Sequence, residues 1–225
     1  MIAPATLAVL VMAESPRVPG SSPLEPQLGI EGCARLQSLL LRRTARWAAD
    51  CAPGAAFLAV PPGGSEVAPA EDMAVECFAQ AGATVPERFE RAAHHVFARH
   101  SGPLVIVGTD FPRLAAYHAD AAIGDLREGC DVVLGVAIGG GLYLLGMRRP
   151  EPKLFALAGT GADGEMTRRN AREVTEGLGL DVGMLHYERA LVGPGDARAL
   201  LADPLLPADL AEALAACRPR SAGDE

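Results

Sequence analysis

The stretch from Leu104 to Pro112 constrains the fold of this chain more than any other. Four consecutive aliphatic residues lead into Gly108, Thr109 and Asp110. A short, continuously apolar run of this kind is typical of a strand that is buried on both faces of a parallel sheet. Pro112 then turns the chain, because the residue before a proline is pushed out of the helical region. The pattern predicts an α/β fold with Asp110 at the carboxyl end of a strand, where ligands bind in open α/β sheets.

Strand and helix patterns alternate along the rest of the chain. Short apolar runs predict a central first strand at residues 6–12 and further strands at 55–60, 131–135, 142–147 and 181–186. Helical periodicity and helix-ending residues predict helices at 31–50, 70–81, 87–99, 114–127, 166–178, 196–203 and 208–216. We therefore expect a Rossmann-like, mostly parallel sheet sandwiched by helices. A single domain over residues 1–217 with a frayed tail at 218–225 is the simplest organisation.

Charge and composition limit the classes of partner. The formal net charge is -8, and no Lys or Arg cluster could follow a phosphate backbone, so we expect no nucleic-acid partner. The longest apolar run, residues 3–13, is too short to cross a bilayer and lacks the flanks of a signal peptide. The five cysteines are widely spaced and form no Cys-x-x-Cys pair, which argues against a disulfide framework and a zinc site. These features predict a cytoplasmic protein without a membrane partner.

Three motifs follow one another in the second half of the chain. They are GTDFP at 108–112, DVVLG at 131–135 and GGLYLLG at 140–146. In order and spacing they resemble GTD-C-P, DVVLGP and DGGYYLIG of a family of small GT-A-fold transferases, the bacterial selenodomain-associated transferase 1 proteins. That family is related to the guanylyltransferases of the molybdenum and deazaflavin cofactors. The resemblance covers nearly the whole chain and implies a GT-A fold of the nucleotide-diphospho-sugar transferase type.

The resemblance also implies transfer of a nucleotidyl or sugar group from a nucleotide or nucleotide-sugar donor. Such chemistry needs groups that neutralise phosphates, a divalent cation such as Mg²⁺ or Mn²⁺, and carboxylates that hold the cation. Asp110 stands where the family keeps an acid, so it is the predicted catalytic residue and metal ligand. Thr109, beside it, and Gly140 and Gly141, at the paired glycines of the family, are predicted nucleotide contacts.

Two further segments resemble nucleotide-contacting parts of the family. Glu87 and Arg88 stand where the family has G-E-R-M, and both are predicted nucleotide contacts. The family loop P-G-x-V-K-T-R-L corresponds to residues 19–24, PGSSPL, in which both basic residues are absent. The predicted anion site consists of Arg17 and the backbone N–H groups of Gly20, Ser21 and Ser22. A plain surface connection is the alternative interpretation of this loop.

The acidic residues of the family are only partly retained. Gly139 replaces the acid before the paired glycines, and residues 190–194 carry no carboxylate where the family has D-x-D-T-P. Asp110 could serve instead as a turn or helix cap. Glu87 and Arg88 could form the capped start of a helix. Packing or surface roles, rather than ligand or metal contacts, are expected for Tyr143, His94, His95 and His118.

Two hypotheses of function therefore stand side by side. The first is a nucleotidyl- or glycosyl-transferase-like protein that binds its donor at the carboxyl ends of the strands. The second is a catalytically degenerate member that binds a small ligand or a protein partner, or forms a homodimer. A second carboxylate beside Asp110 in an open cleft, from Glu14, Asp131 or Asp196, would favour the first. An Asp110 capped only by backbone N–H groups would favour the second.

Overall fold

The computed structural model describes residues 6–14, 20–62, 74–157 and 164–217. Their strands form one sheet in the order β3-β2-β1-β4-β6-β5-β7, with β8 paired to β5 beyond that path. The strands are β1 Ala8–Met12, β2 Ala56–Val60, β3 Glu76–Ala79, β4 Leu104–Gly108, β5 Val132–Ile138, β6 Leu142–Met147, β7 Val182–Met184 and β8 Glu188–Arg189. The helices are α1 Glu25–Cys51, α2 Val85–Phe97, α3 Ala116–Glu128, α4 Pro152–Phe155, α5 Gly164–Leu178, α6 Pro194–Leu201 and α7 Ala208–Ala213, followed by a 3-10 turn at Ala215–Cys217.

The sheet is mostly parallel, as the sequence predicts. β1 is an interior strand that lies between the parallel strands β2 and β4. β6 is the exception, because it runs antiparallel to both β4 and β5. β1 and the aliphatic part of β4 are fully buried, which explains why their sequences are continuously apolar and do not alternate.

Helices cover both faces of the sheet. One face packs against α2, α4 and α5 through side chains such as Val96, Phe155 and Ala171. The other packs against α1 and α3 through side chains such as Trp47 and Leu126. A third apolar cluster joins the first half of α1 to α6 and α7. This layering confirms the α/β sandwich expected from the sequence.

Two predicted elements differ from the observed ones. Residues 76–79 form the strand β3 within the predicted helix 70–81, whose first residues lie outside the described part of the chain. Among the described strands, β3 pairs with β2 alone and is largely exposed, so its residues carry no buried apolar run. The helix predicted from residue 31 begins instead at Glu25, because Pro26 is compatible with a first helical turn and Gly29 absorbs a kink with φ 68°.

The predicted tail at 218–225 lies outside the described residues, and the single-domain organisation stays a prediction. None of the described helices is long and apolar enough to cross a membrane.

Candidate functional site

A cavity of about 500 Å³ opens at the carboxyl ends of β1 and β4. We call it the strand-end cavity. The two strands are parallel neighbours with Met12 opposite Gly108, so the second residues beyond this pair, Glu14 and Asp110, leave the sheet at equivalent positions. Both carboxylate-bearing residues line the cavity. The sheet register therefore brings a second acidic residue to the same cavity as Asp110.

The remaining walls come from elements on either side of these strand ends. α2 contributes Arg88, and the turn between β5 and β6 contributes Gly140. Gln80, which follows β3, is buried and donates from Nε2 to the carbonyl oxygens of Ala13, at 2.7 Å, and Ala59, at 2.9 Å. These two bonds tie the end of the edge strand β3 to the central strands at the cavity wall.

Asp110 is held in place by its neighbours. Its carbonyl oxygen accepts a hydrogen bond of 2.8 Å from the backbone N–H of Leu191, which fixes the chain after β8 against the end of β4. Thr109 is buried and lines the same cavity. Glu14 and Asp110 each take part in a polar or electrostatic interaction, so neither is an isolated charge. Asp110 is thus a half-buried carboxylate on a fixed backbone.

An aromatic group forms the floor of the cavity. Tyr143 is buried, and its hydroxyl donates to the carbonyl oxygen of His186 at 2.9 Å. Burial raises the pKa of this phenol well above its ordinary value, so it stays protonated. The Tyr143 ring lies 5.7 Å from the ring of Phe111 and 5.5 Å, edge-on, from that of His118. Tyr143 therefore packs, with its hydroxyl satisfied.

His118 leads to a buried acid that the sequence did not reveal. Glu188 is 4% exposed, and its Oε1 lies 2.9 Å from the Tyr117 hydroxyl and 3.2 Å from Nε2 of His118. Burial alone would raise the pKa of Glu188, but hydrogen bonds from His118 and Tyr117 and the charge of Arg113 lower it below its ordinary value. Burial and the bond to Glu188 raise the pKa of Tyr117 to about 12.

No motif marks Glu188 in the sequence, since it follows two polar residues in a segment without periodicity. His118 is a satisfied residue, as predicted.

Several predicted nucleotide contacts already use their polar groups within the protein. The N–H of Gly20 donates to Oε2 of Glu25 at 2.7 Å, and Ser22 is buried, with its Oγ 3.3 Å from the N–H of Leu24. The N–H of Gly141 donates to Oγ1 of Thr167 at 3.0 Å. Nucleotide contacts by these residues and by Ser21 stay predictions, and Arg17 and Pro19 lie outside the described residues.

The other acidic residues named from the sequence have structural roles. Glu87 belongs to the capped start of α2. Its Oε2 accepts from the N–H of Ala83, and its backbone N–H donates to Oγ1 of the N-cap residue Thr84. Asp196 pairs with Arg189 at 3.1 Å and accepts from the N–H of Gly193. Asp131 precedes β5 at the opposite end of the sheet. Glu14 is therefore the acid that joins Asp110 at the cavity.

The metal-ligating residues of the described chain are sparse. No group of three or more His, Cys, Asp or Glu residues within it is arranged to hold a metal ion. Glu14 and Asp110 are hard oxygen donors, and Mg²⁺ is commonly held by one or two carboxylates together with substrate phosphates. As hard oxygen donors on the wall of one cavity, the two carboxylates have the chemistry that this mode of binding requires.

Comparisons with known proteins agree with this architecture. A family model described as "Uncharacterized protein conserved in bacteria (DUF2064)" matches residues 44–161, just over half of the chain. No curated protein matches the sequence.

Solved structures share the fold. A protein from Desulfovibrio desulfuricans G20, provisionally named a nucleotide-diphospho-sugar transferase, superposes with a TM-score of 0.74 at 21% identity, covering 95% of this chain and 97% of that one. The homologue of Mycobacterium tuberculosis Rv0371c from Mycobacterium sp. strain JC1 gives 0.53 at 15% identity, covering 93% and 97%. A CMP:2-keto-3-deoxy-manno-octonic acid synthetase complexed with CTP gives 0.51 at 12% identity, covering 88% and 99%. These likenesses confirm the nucleotide-diphospho-sugar transferase type of fold, and the narrower resemblance to the selenodomain-associated transferases stays a prediction.

Proposed function

The chain belongs to the DUF2064 family of bacterial proteins, and we propose that it binds a nucleoside triphosphate or nucleotide sugar in the strand-end cavity and transfers its nucleotidyl or glycosyl group. The observation that carries this proposal is the pairing of Glu14 and Asp110 at equivalent positions beyond two adjacent parallel strands, on the wall of one cavity. In open α/β sheets, ligands bind at this end of the strands. Two carboxylates there suit a cation that in turn holds phosphates.

Residues from each wall of the cavity have a role in the proposed binding of the donor. Glu14 and Asp110 would hold Mg²⁺ or Mn²⁺, which would neutralise phosphate charge in the transition state. Arg88 approaches from α2 and neutralises a further phosphate oxygen. Gly140 has φ 114° and no side chain, so the β5–β6 turn allows the donor to approach the backbone closely. Gln80 fixes one wall through its two backbone contacts.

A second candidate function is ligand binding without group transfer. It is favoured by the small number of charged groups, since the described wall of the cavity carries two carboxylates and a single arginine. The N–H of Gly20 in the loop before α1 is also already paired with Glu25. A chain of this kind would hold a nucleotide in the cavity but form no product.

Calorimetric titration tests the proposal. We would titrate GTP, CTP, UDP-sugars and GDP-sugars into the protein, with and without Mg²⁺ or Mn²⁺. We expect micromolar binding of one donor that depends on the cation. The affinity should be at least tenfold weaker in Asp110→Asn and in Glu14→Gln, which is about the loss expected for one charge-assisted contact. Asp131→Asn is the matched control, because that carboxylate lies at the opposite end of the sheet.

The same samples separate the two functions. Release of pyrophosphate or nucleoside diphosphate from the bound donor, in the presence of candidate acceptors, would identify a transferase. Metal-dependent binding without any release would identify the binding module. Absence of heat with every nucleotide, or equal losses in Asp110→Asn and Asp131→Asn, would contradict both.

A further inference from the structure

A second cavity, of about 510 Å³, lies against the outer side of α1. We call it the helix-side cavity. Its walls are α1, Asp209 of α7 and the turn that follows Asp110. Phe111 lines both this cavity and the strand-end cavity, while Pro112 lines only this one. The GTDFP segment therefore lies between two adjacent cavities, and the proposed function uses only one of them.

Three arginines of α1 project into the helix-side cavity. Arg43 is engaged, because its Nη1 lies 3.0 and 2.9 Å from the two carboxylate oxygens of Asp209. Arg42 and Arg46 are exposed and have no hydrogen bond or ion pair among the described residues. They are four residues apart, so they occupy the same face of the helix. Among the described residues of the wall, Asp50 is the remaining charged one, so three positive groups face two negative ones in a protein of net charge -8.

The floor of this cavity is apolar and contains a polar group without a partner. Trp47 is 8% exposed and lines the cavity together with Leu40, Phe111 and Leu114. Its indole N–H is buried and has no acceptor among the described residues. The indole nitrogen can only donate, and leaving a buried donor unpaired is costly. Because this nitrogen is itself buried, a ligand packs on the accessible part of the indole ring and does not bond to the N–H.

We propose that the helix-side cavity binds a small anion with an apolar body, either a phosphate monoester or a carboxylic acid in its ionised form, through Arg42, Arg46 and Trp47. The two guanidinium groups take the anionic group, because each presents a planar fork that matches phosphate and carboxylate oxygens. The apolar body packs on the Trp47 and Phe111 side. The site is distinct from the strand-end cavity and needs no nucleotide.

The single tryptophan of the chain makes the test direct, since Trp47 is the only source of tryptophan fluorescence. We would titrate phenyl phosphate and phenylacetate into nucleotide-free protein and follow this emission. We expect a saturable change with at least one probe, and an affinity about tenfold weaker or more in the double variant Arg42→Gln/Arg46→Gln. The stronger of the two probes identifies the anionic group of the natural ligand.

The matched control is Arg127→Gln/Arg198→Gln, which removes two positive charges from exposed positions on α3 and α6 outside this cavity. It should bind both probes as the unaltered protein does. Non-saturable emission changes with both probes, or equal losses of affinity in the two double variants, would overturn the proposal. Neither probe contains a nucleoside, so these results are independent of nucleotide binding in the strand-end cavity.

Discussion

Gly135 is the residue that makes room for the aromatic floor of the strand-end cavity. A Cβ added at this position of β5 would lie 2.5 Å from Cζ of Tyr143. Both partners are in buried strands, and the Tyr143 hydroxyl is bonded to His186, so the ring has little freedom to withdraw. The absence of a side chain at residue 135 therefore sets the position of the tyrosine ring at the cavity.

We predict that Gly135→Ala lowers the free energy of unfolding by about 1–3 kcal/mol, because overpacking displaces the ring. Urea unfolding followed by circular dichroism measures this change. Gly124→Ala is the control, since a Cβ at that helical position of α3 meets no atom within 4 Å. It should raise stability by about 0.5–1 kcal/mol, as alanine favours a helix over glycine. Equal stability of Gly135→Ala and the unaltered protein would contradict the packing argument.

At the residue scale, the sequence predicts a residue of the cavity when that residue comes directly after the end of a strand. Asp110 is predicted at the end of a strand because a continuous apolar run ends just before it, and Glu14 is one of the three acids expected as its partner. Only the parallel register of β1 and β4 selects Glu14 over Asp131 and Asp196. Glu188 was missed because its burial depends on α3 packing beside β8, and no local pattern encodes that contact.

At the level of elements, α2 shows how one helix cap positions a cavity residue. Thr84 is the N-cap, and its Oγ1 accepts from the N–H of Glu87 at 3.3 Å, while Oε2 of Glu87 accepts from the N–H of Ala83 at 2.9 Å. Arg88 follows directly and lines the strand-end cavity. The cap thus fixes the first turn of the helix, from which the arginine projects.

We predict that Thr84→Ala lowers the free energy of unfolding by about 1 kcal/mol, the usual value of an N-cap hydroxyl. Thr84→Ser keeps the hydroxyl and should stay close to the unaltered protein. Thermal unfolding of the two variants under one set of conditions measures the difference. Identical losses in both variants would show that the methyl group, not the hydrogen bond, carries the effect.

The burial of each strand explains which strands the sequence could predict. β1 and β4 are recognisable because both of their faces are buried, so their composition alone marks them as strands. β3 is an edge strand whose residues are mostly exposed, and only its pairing with β2 makes it a strand. Local propensity contains no information on that pairing, so the segment was predicted as a helix.

At the scale of the whole molecule, Glu188 links the sheet to one of the helices that cover it. It lies on β8, and the groups that face it are Tyr117 and His118 on α3 and, through its charge, Arg113. Its pKa is lowered in the folded protein, so folding favours the ionised carboxylate. This interaction contributes to the stability of the whole chain at neutral pH.

We therefore predict that acid weakens this contribution. Because the folded pKa of Glu188 lies below the unfolded value, the unfolded chain binds the proton first as the pH falls. The stabilisation is complete well above about pH 4.5 and is lost as the pH drops through the folded pKa. Unfolding free energies of the unaltered protein and Glu188→Gln, measured by urea titration from pH 7 to pH 3.5, should differ most at pH 7 and converge in acid. Glu128→Gln, at an exposed position of α3, should show a difference that does not change with pH in this way. A constant difference between Glu188→Gln and the unaltered protein across the range would mean that the carboxylate acts through packing and not through its charge.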